Sequence, residues 1–200
     1  MTVSGTRGLW PRTGIAGYAL AIGSPHTTRP LIETLGEELF VSDCGRVDLD
    51  SPTTVQVETH VAFLLGQDLG DSAGVLEAAA AIYPALRITE PAGSGRAPLR
   101  TRHIVLGSAS RTLARVGFDD MLVTVKSNGV ILAAGEPADM WRPPVEALAW
   151  FAAEQAQDRN VLRRGTVVLS GSLHTPVAAR PGDHVRGDLM GVGSVCVSLG

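Results

Sequence analysis

The stretch "VQVETHVAFLLG", Val55–Gly66, decides the fold and raises the functional question. Read with period 2, it is a strand of about eleven residues. Val57, Thr59, Val61, Phe63 and Leu65 fall on one face, Glu58 and His60 on the other. A mostly apolar strand thus turns a carboxylate and an imidazole the same way.

Around this strand the chain reads as an ordinary globular one. It has 200 residues, 44% hydrophobic and 18% charged, enough for one compact domain with a sizeable core. The net charge of -3 and the 4% aromatic content argue against nucleic acid as a partner. No apolar run is long enough to span a membrane, and "MTVSGTRGLWPRTG" has no apolar signal region, so the expected location is the cytoplasm. Cys44 and Cys196 show neither metal-ligand spacing nor a disulfide framework, which agrees with a reducing compartment. A single lysine, Lys126, stands against sixteen arginines. It lies beside a turn and is expected to be solvated, so a Schiff-base mechanism, which needs a desolvated lysine, is disfavoured.

Outward from Val55–Gly66, "GYALAIG" (17–23) predicts a strand, and 26–54 a loop-rich stretch with a short helix near Leu31–Leu35. "DSAGVLEAAAAIYPAL" starts with a helix cap, Asp71 or Ser72, and predicts about three helical turns ending before Pro84. "ALRITE" (85–90) and "HIVLGSA" predict strands flanking the loop "PAGSGRAPLR". "VTVKSNGVIL" predicts a hairpin turning at Asn128-Gly129. "PPVEALAWFAAEQAQ" (143–157) predicts a helix with prolines in its first turn and a stripe of Val145, Leu148, Ala149, Phe151 and Ala152. "GTVVLSGS", "GDHVRGDL" and "GSVCVSL" predict three more strands, and the sum is an α+β chain without repeats. Trp141, Trp150 and Phe151 read as core or interface. "PAGSGRAP" lacks the context of a phosphate loop, and "VLSGSLH" lacks the glycine of a nucleophile elbow before Ser170.

The ordered set "GYALAIGSP", "VETHVAFLLGQDL", "AAAAIYPALRITE", "VTVKSNGVILAAG", "PVEALAWFAAEQAQ" and "LRRGTVVLSGSLHTPVAARPGDHVRGDLMGVGSVCVSLG" resembles the fumarylacetoacetate hydrolase superfamily. The likeness is to its branch of 2-keto-4-pentenoate hydratases and 4-oxalocrotonate decarboxylases, over roughly residues 15 to 200. It implies a fumarylacetoacetate hydrolase-like mixed β-roll with flanking helices. On this view residues 1–200 form one hydratase-like domain with 1–14 as an N-terminal arm, shorter than the helical segment of the family. The family site holds Mg²⁺ with a Glu-x-Glu pair on one strand and a Glu on a later strand, and the cation binds oxo and carboxylate oxygens of the substrate and stabilises an enolate.

The site positions depart from that pattern. Glu58 matches the first ligand, the second falls at His60, and the third at Arg87 in "PALRITE". The lysine of the branch falls at Ala19, and a downstream Asp-Asn pair falls near Ala97 and Pro98. A guanidinium stays protonated and repels a divalent cation, so the expected cofactor is none, with Mg²⁺ as runner-up and Zn²⁺ better suited than Mg²⁺ to Glu58 with His60. Glu90 is the carboxylate nearest in sequence that would rescue a metal site. The catalytic set expected is Glu58, His60 and Arg87: base or ion-pair partner, proton carrier, and cationic anchor for an oxyanion. Ser24, Glu90, Ser172 and His174 are the expected substrate-binding residues, on segments that border the family's pocket.

The expected function is a metal-independent enzyme acting by acid–base catalysis on an enol, dicarbonyl or polyketide-type small molecule. The step would be a cyclisation, isomerisation or lyase reaction in secondary metabolism, performed by a homo-oligomer. The alternatives are a Mg-dependent hydratase or decarboxylase with altered ligands, and a non-catalytic subunit partnering an active homologue. A satisfied structural cluster of Glu58, His60 and Arg87 also accounts for these residue types.

Overall fold

The computed structural model describes residues 15–21, 29–49, 54–72, 74–91, 99–108, 116–118, 121–135 and 141–200. The expected arm 1–14, Ser24, Ala97 and Pro98 lie outside the described residues. The strands are β1 (Ile15–Ala21), β2 (Leu31–Gly36), β3 (Phe40–Ser42), β4 (Gly45–Val47), β5 (Val55–Leu65), β6 (Ala79–Pro91), β7 (Leu99–Leu106), β8 (Val123–Ser127), β9 (Val130–Gly135), β10 (Val167–Leu169), β11 (Val177–Ala179), β12 (His184–Leu189) and β13 (Gly193–Leu199). The helices are α1 (Val75–Ala78) and α2 (Pro144–Gln157). One sheet runs β2-β1-β10-β5-β6-β7-β3, with β11 also on β5, and the other runs β4-β13-β12-β8-β9. Three pairings, β1 with β10, β3 with β7 and β4 with β13, are parallel among antiparallel ones, so both sheets are mixed.

The period-2 reading of β5 holds. Val61, Phe63 and Leu65 pack with Leu148, Phe151 and Ala152 of α2, while Val57 joins Leu86, Val125, Val185 and Val197 between the sheets. Ala62 and Leu64 face the other way, with Ala19, Leu35, Ile104 and Leu169. Both faces of β5 are covered, so the face that carries Glu58 and His60 is itself interior.

Two segments differ from expectation. "LIETLG" is the strand β2, not a short helix: it pairs with β1, and Glu33 stands opposite Ala19. "AAAAIYPAL" is strand, and the expected three-turn helix shrinks to α1. Alanine favours helix by only a fraction of a kcal/mol per residue. An eleven-residue interior strand needs a partner along its whole length, and β6 supplies it from Ala79 opposite Leu65 to Thr89 opposite Gln56. Pro84 is tolerated inside β6 because its carbonyl, and with it the side of its missing N–H, faces β7 where that strand ends: the carbonyl accepts from Gly107 N at 2.8 Å, and the pairing with β5 loses no donor.

The β8–β9 hairpin turns at Asn128 (φ 50°) and Gly129 (φ 84°), the left-handed pair that a two-residue turn requires. In α2, Pro144 occupies the first turn, as expected, and Tyr18 packs on Phe151 with ring centroids 5.1 Å apart. The cysteines correct a second expectation: Cys44, in the β3–β4 turn, forms a disulfide with Cys196 of β13. Spacing along the chain carried no sign of this, because the two residues meet only through the parallel pairing of β4 with β13. Among the described residues no helix is long and apolar enough to cross a membrane.

Candidate functional site

The β5–β6 register places Glu58 directly opposite Arg87. Arg87 is the largest of the fully buried side chains. Its fork is spread over three partners: Nη1 donates to Glu58 Oε2 at 2.6 Å, Nη2 to Glu33 Oε2 at 2.7 Å, and Nε to Thr101 Oγ1 at 2.8 Å. Thr101 closes the ring, donating N to Glu33 Oε1 at 2.9 Å and Oγ1 to Glu33 Oε2 at 2.5 Å. Four strands, β2, β5, β6 and β7, therefore converge on one guanidinium. Two of its five N–H donors have no bond to these residues.

His60 lies beside this ring. Its Nε2 is 3.5 Å from Glu58 Oε2 and it is wholly buried. Neither ring nitrogen makes a hydrogen bond of good geometry among the described residues, yet Glu58 and the Gly171 backbone both act on the ring. Burial pushes the His60 imidazole below its ordinary range, and Arg87 adds to the effect against the pull of Glu58 and of the Gly171 backbone. Burial also opposes ionisation of Glu58, but His60 and Arg87 outweigh it and hold the carboxyl at about 2. Because His60 is itself neutral, Arg87 is the partner whose charge is permanent. Burial acts against Glu33 too, and its bonds to Thr101 and Arg87 prevail and lower it. Two carboxylates, one guanidinium and a neutral imidazole leave the cluster with a net charge of -1.

The other expected site residues are placed differently. His174 meets β5 from the opposite face: Nε2 accepts from Thr59 N at 3.0 Å and lies 2.9 Å from Thr59 Oγ1, while Nδ1 donates to Thr175 O at 2.7 Å. Both of its nitrogens are engaged in holding the Ser170–Thr175 segment on β5. Ser172 Oγ donates to His174 O at 2.6 Å in the same segment. Glu90 pairs with Arg102 on β7 at 3.4 Å and does not join the ring around Arg87.

Glu33 and Thr101 are the members that sequence reading misses. The signal for Glu33 was the alternation in "LIETLG", where Glu33 and Leu35 share a face, and the helix reading concealed it. Ala19, opposite Glu33 on β1, is buried.

Residues 38–199 match the model of the fumarylacetoacetate (FAA) hydrolase C-terminal family, and the chain belongs to this family. A 2-keto-4-pentenoate hydratase of Paraburkholderia xenovorans is 29% identical over 184 residues, covering 83% of this chain and 66% of that protein. A 4-oxalocrotonate decarboxylase of a Pseudomonas species is 26% identical over 174 residues, covering 82% of this chain and 68% of that one. Among solved structures, a 4-oxalocrotonate decarboxylase of Pseudomonas putida G7, complexed with magnesium and adipate, superposes with a TM-score of 0.82 at 18% identity. That match covers 92% of this chain and 78% of the decarboxylase. The chain thus spans about two thirds of the length of the hydratase it matches.

The magnesium in that relative makes a fit test necessary. Mg²⁺ demands hard oxygens in near-octahedral array. Here Glu58 Oε2 and Glu33 Oε2 are both occupied by Arg87, whose fixed charge opposes a cation by roughly 4 kcal/mol per unit charge at 4 Å. His60 adds a softer nitrogen where a carboxylate would serve better. As arranged, these residues do not fit Mg²⁺.

Proposed function

We propose that this chain is a small-molecule enzyme that moves protons on an enol or dicarbonyl compound without a resident divalent cation. Such chemistry serves a cyclisation, isomerisation or lyase step on a polyketide-type skeleton. The single observation that carries the reading is His60: a wholly buried, neutral imidazole 3.5 Å from Glu58 Oε2, beside the Glu58–Arg87 ion pair.

The roles follow from the geometry. In the tautomer with N–H on Nε2, His60 faces Glu58 Oε2, and its other ring nitrogen is the base of the proposed step. Glu58 orients the ring and stabilises the imidazolium that proton uptake creates, as a carboxylate does behind a catalytic histidine. Arg87 keeps Glu58 ionised and offers its two remaining N–H groups to a carbonyl oxygen on which charge develops. Glu33 and Thr101 lock the guanidinium plane, so it need not reorganise during the reaction. The hydratase and decarboxylase relatives support a carbonyl-bearing substrate; a homo-oligomer is the assembly in keeping with this reading.

The test is deuterium uptake at the carbon between two carbonyls, followed by NMR in D2O with chelator-treated protein. Wild type is expected to accelerate exchange, and His60→Gln to lose at least about 100-fold of that rate with its circular dichroism intact. A chelated protein that is inert and recovers with Mg²⁺ overturns the reading in favour of a metal-dependent hydratase or decarboxylase. Inertness that is relieved only by adding an active homologue overturns it in favour of a partner subunit.

A further inference from the structure

We infer that the site selects an uncharged substrate: a neutral diketone, keto-ester or enol, with anionic 2-oxo acids excluded. The inference rests on the proposed function and names its substrate class. It follows from the charge ring of Glu33, Arg87 and Glu58 beside the buried His60.

Arg87 is the cation to which an anionic substrate would turn. Yet its Nη1 and Nη2 already hold one carboxylate each, at 2.6 and 2.7 Å. Its charge is therefore more than balanced before any ligand arrives. No lysine adds to it: the only one, Lys126, pairs with Asp188 on the other sheet at 3.3 Å. On the neighbouring strand β1, Ala19 stands opposite Glu33. A monoanionic ligand would bring the site from -1 to -2, and a dianion to -3, with no further cation in the ring to offset either.

A neutral ligand avoids this cost. One carbonyl oxygen accepts from the Arg87 N–H groups that Glu33, Glu58 and Thr101 do not engage, and the acidic C–H faces the His60 imidazole. The C–H bond breaks, its proton goes to the imidazole, and its electron pair becomes the enolate delocalised onto the oxygen held by Arg87. Nothing is oxidised or reduced. The total charge of ligand and ring stays at -1 throughout, because the imidazolium gains what the enolate loses. The same ring thus accepts charge separation within a neutral substrate and rejects charge carried in from outside. Glu33 is the positioning residue that sets this balance.

The experiment compares two probes of similar size, acetylacetone and the acetopyruvate anion, by calorimetric titration of chelator-treated wild type and of Glu33→Gln. Wild type is expected to bind acetylacetone at least about tenfold more tightly than acetopyruvate. Glu33→Gln brings the ring to neutrality and is expected to shift the ratio toward the anion by at least about tenfold. Deuterium exchange into bound acetylacetone serves as a readout that a purely structural role of Glu33 would not redirect. Metal-free wild type that exchanges acetopyruvate as well as acetylacetone overturns the selectivity and leaves acid–base catalysis standing. Preference for acetopyruvate that appears only with Mg²⁺ overturns both. Failure to bind or exchange either probe under any condition also overturns both.

Discussion

Arg87 and Glu58 stand directly opposite each other on β6 and β5 and close a 2.6 Å ion pair in the interior of the rolled sheet. The pair occupies the place where the family resemblance leads one to expect a metal with its carboxylates. On the proposed reading, the fixed positive charge of the guanidinium stands in for a diffusible cation. Four predictions follow from the arrangement around it.

Removing the cation alone strands the buried Glu58 carboxylate and the partly buried Glu33 carboxylate. Arg87→Met is expected to cost about 3–5 kcal/mol of stability in urea unfolding. Arg87→Met combined with Glu58→Leu and Glu33→Leu is expected to recover most of that loss, since hydrophobes of similar volume replace buried ion pairs at little cost. A triple variant no more stable than Arg87→Met would show that the ion pairs are not what the single change disrupts.

Titration with Mg²⁺ separates the two cofactor readings. Chelator-treated wild type is expected to show no calorimetric binding at millimolar metal. Arg87→Glu removes the repelling charge and adds a third carboxylate beside Glu58 and Glu33, so it is expected to bind Mg²⁺ one to one. Binding by wild type would establish that the guanidinium is displaced when metal arrives.

Acid should destabilise the protein in two windows. The folded-state value of Glu58 is depressed from the ordinary 4.5 to about 2, so its contribution is complete above about pH 4.5 and is lost as pH falls through about 2. His60 is also depressed, from 6.5, because burial keeps it neutral. The unfolded chain then binds the extra proton, and stability declines as pH falls below 6.5. His103 and His174 are lowered in the same direction by burial. Unfolding curves from pH 7 to 5 should therefore show a slope that His60→Gln reduces and does not abolish. An unchanged slope would place a proton on His60 in the folded state.

The disulfide ties the β3–β4 turn to β13 across a separation of 152 residues. Reduction is expected to lower stability by about 2–4 kcal/mol. The double variant Cys44→Ser, Cys196→Ser should unfold at that lower midpoint and be indifferent to reductant. A melting temperature that reductant leaves unmoved in wild type would mean that the two thiols are free in solution.

Much of the framework was legible in local pattern. The period-2 alternation of Val55–Leu65 assigned both faces of β5 correctly, because a strand's side chains alternate whatever its neighbours are. The Asn128-Gly129 turn and the prolines opening α2 are equally local devices. Glu58, His60 and Arg87 were recognisable as one constellation because the ordered motifs implied a register between two strands. The structure assembles these three as expected.

What the sequence by itself determined is therefore the parity of each strong strand, the hairpin, the long helix and three of the five residues at the centre. Tertiary structure alone decided that "AAAAIYPAL" is extended, since its intrinsic preference for helix is weaker than the need of β5 for a full-length partner. It alone brought in Glu33 and Thr101, whose strands lie far from β5 in the chain and reach Arg87 only when the sheet rolls. It alone set the charge of the site. The residue types at 58, 60 and 87 leave open whether the arginine is free to bind an anion. Burial and the second carboxylate decide it, because in a low-dielectric interior the balance among three or four nearby charges outweighs the identity of any one of them.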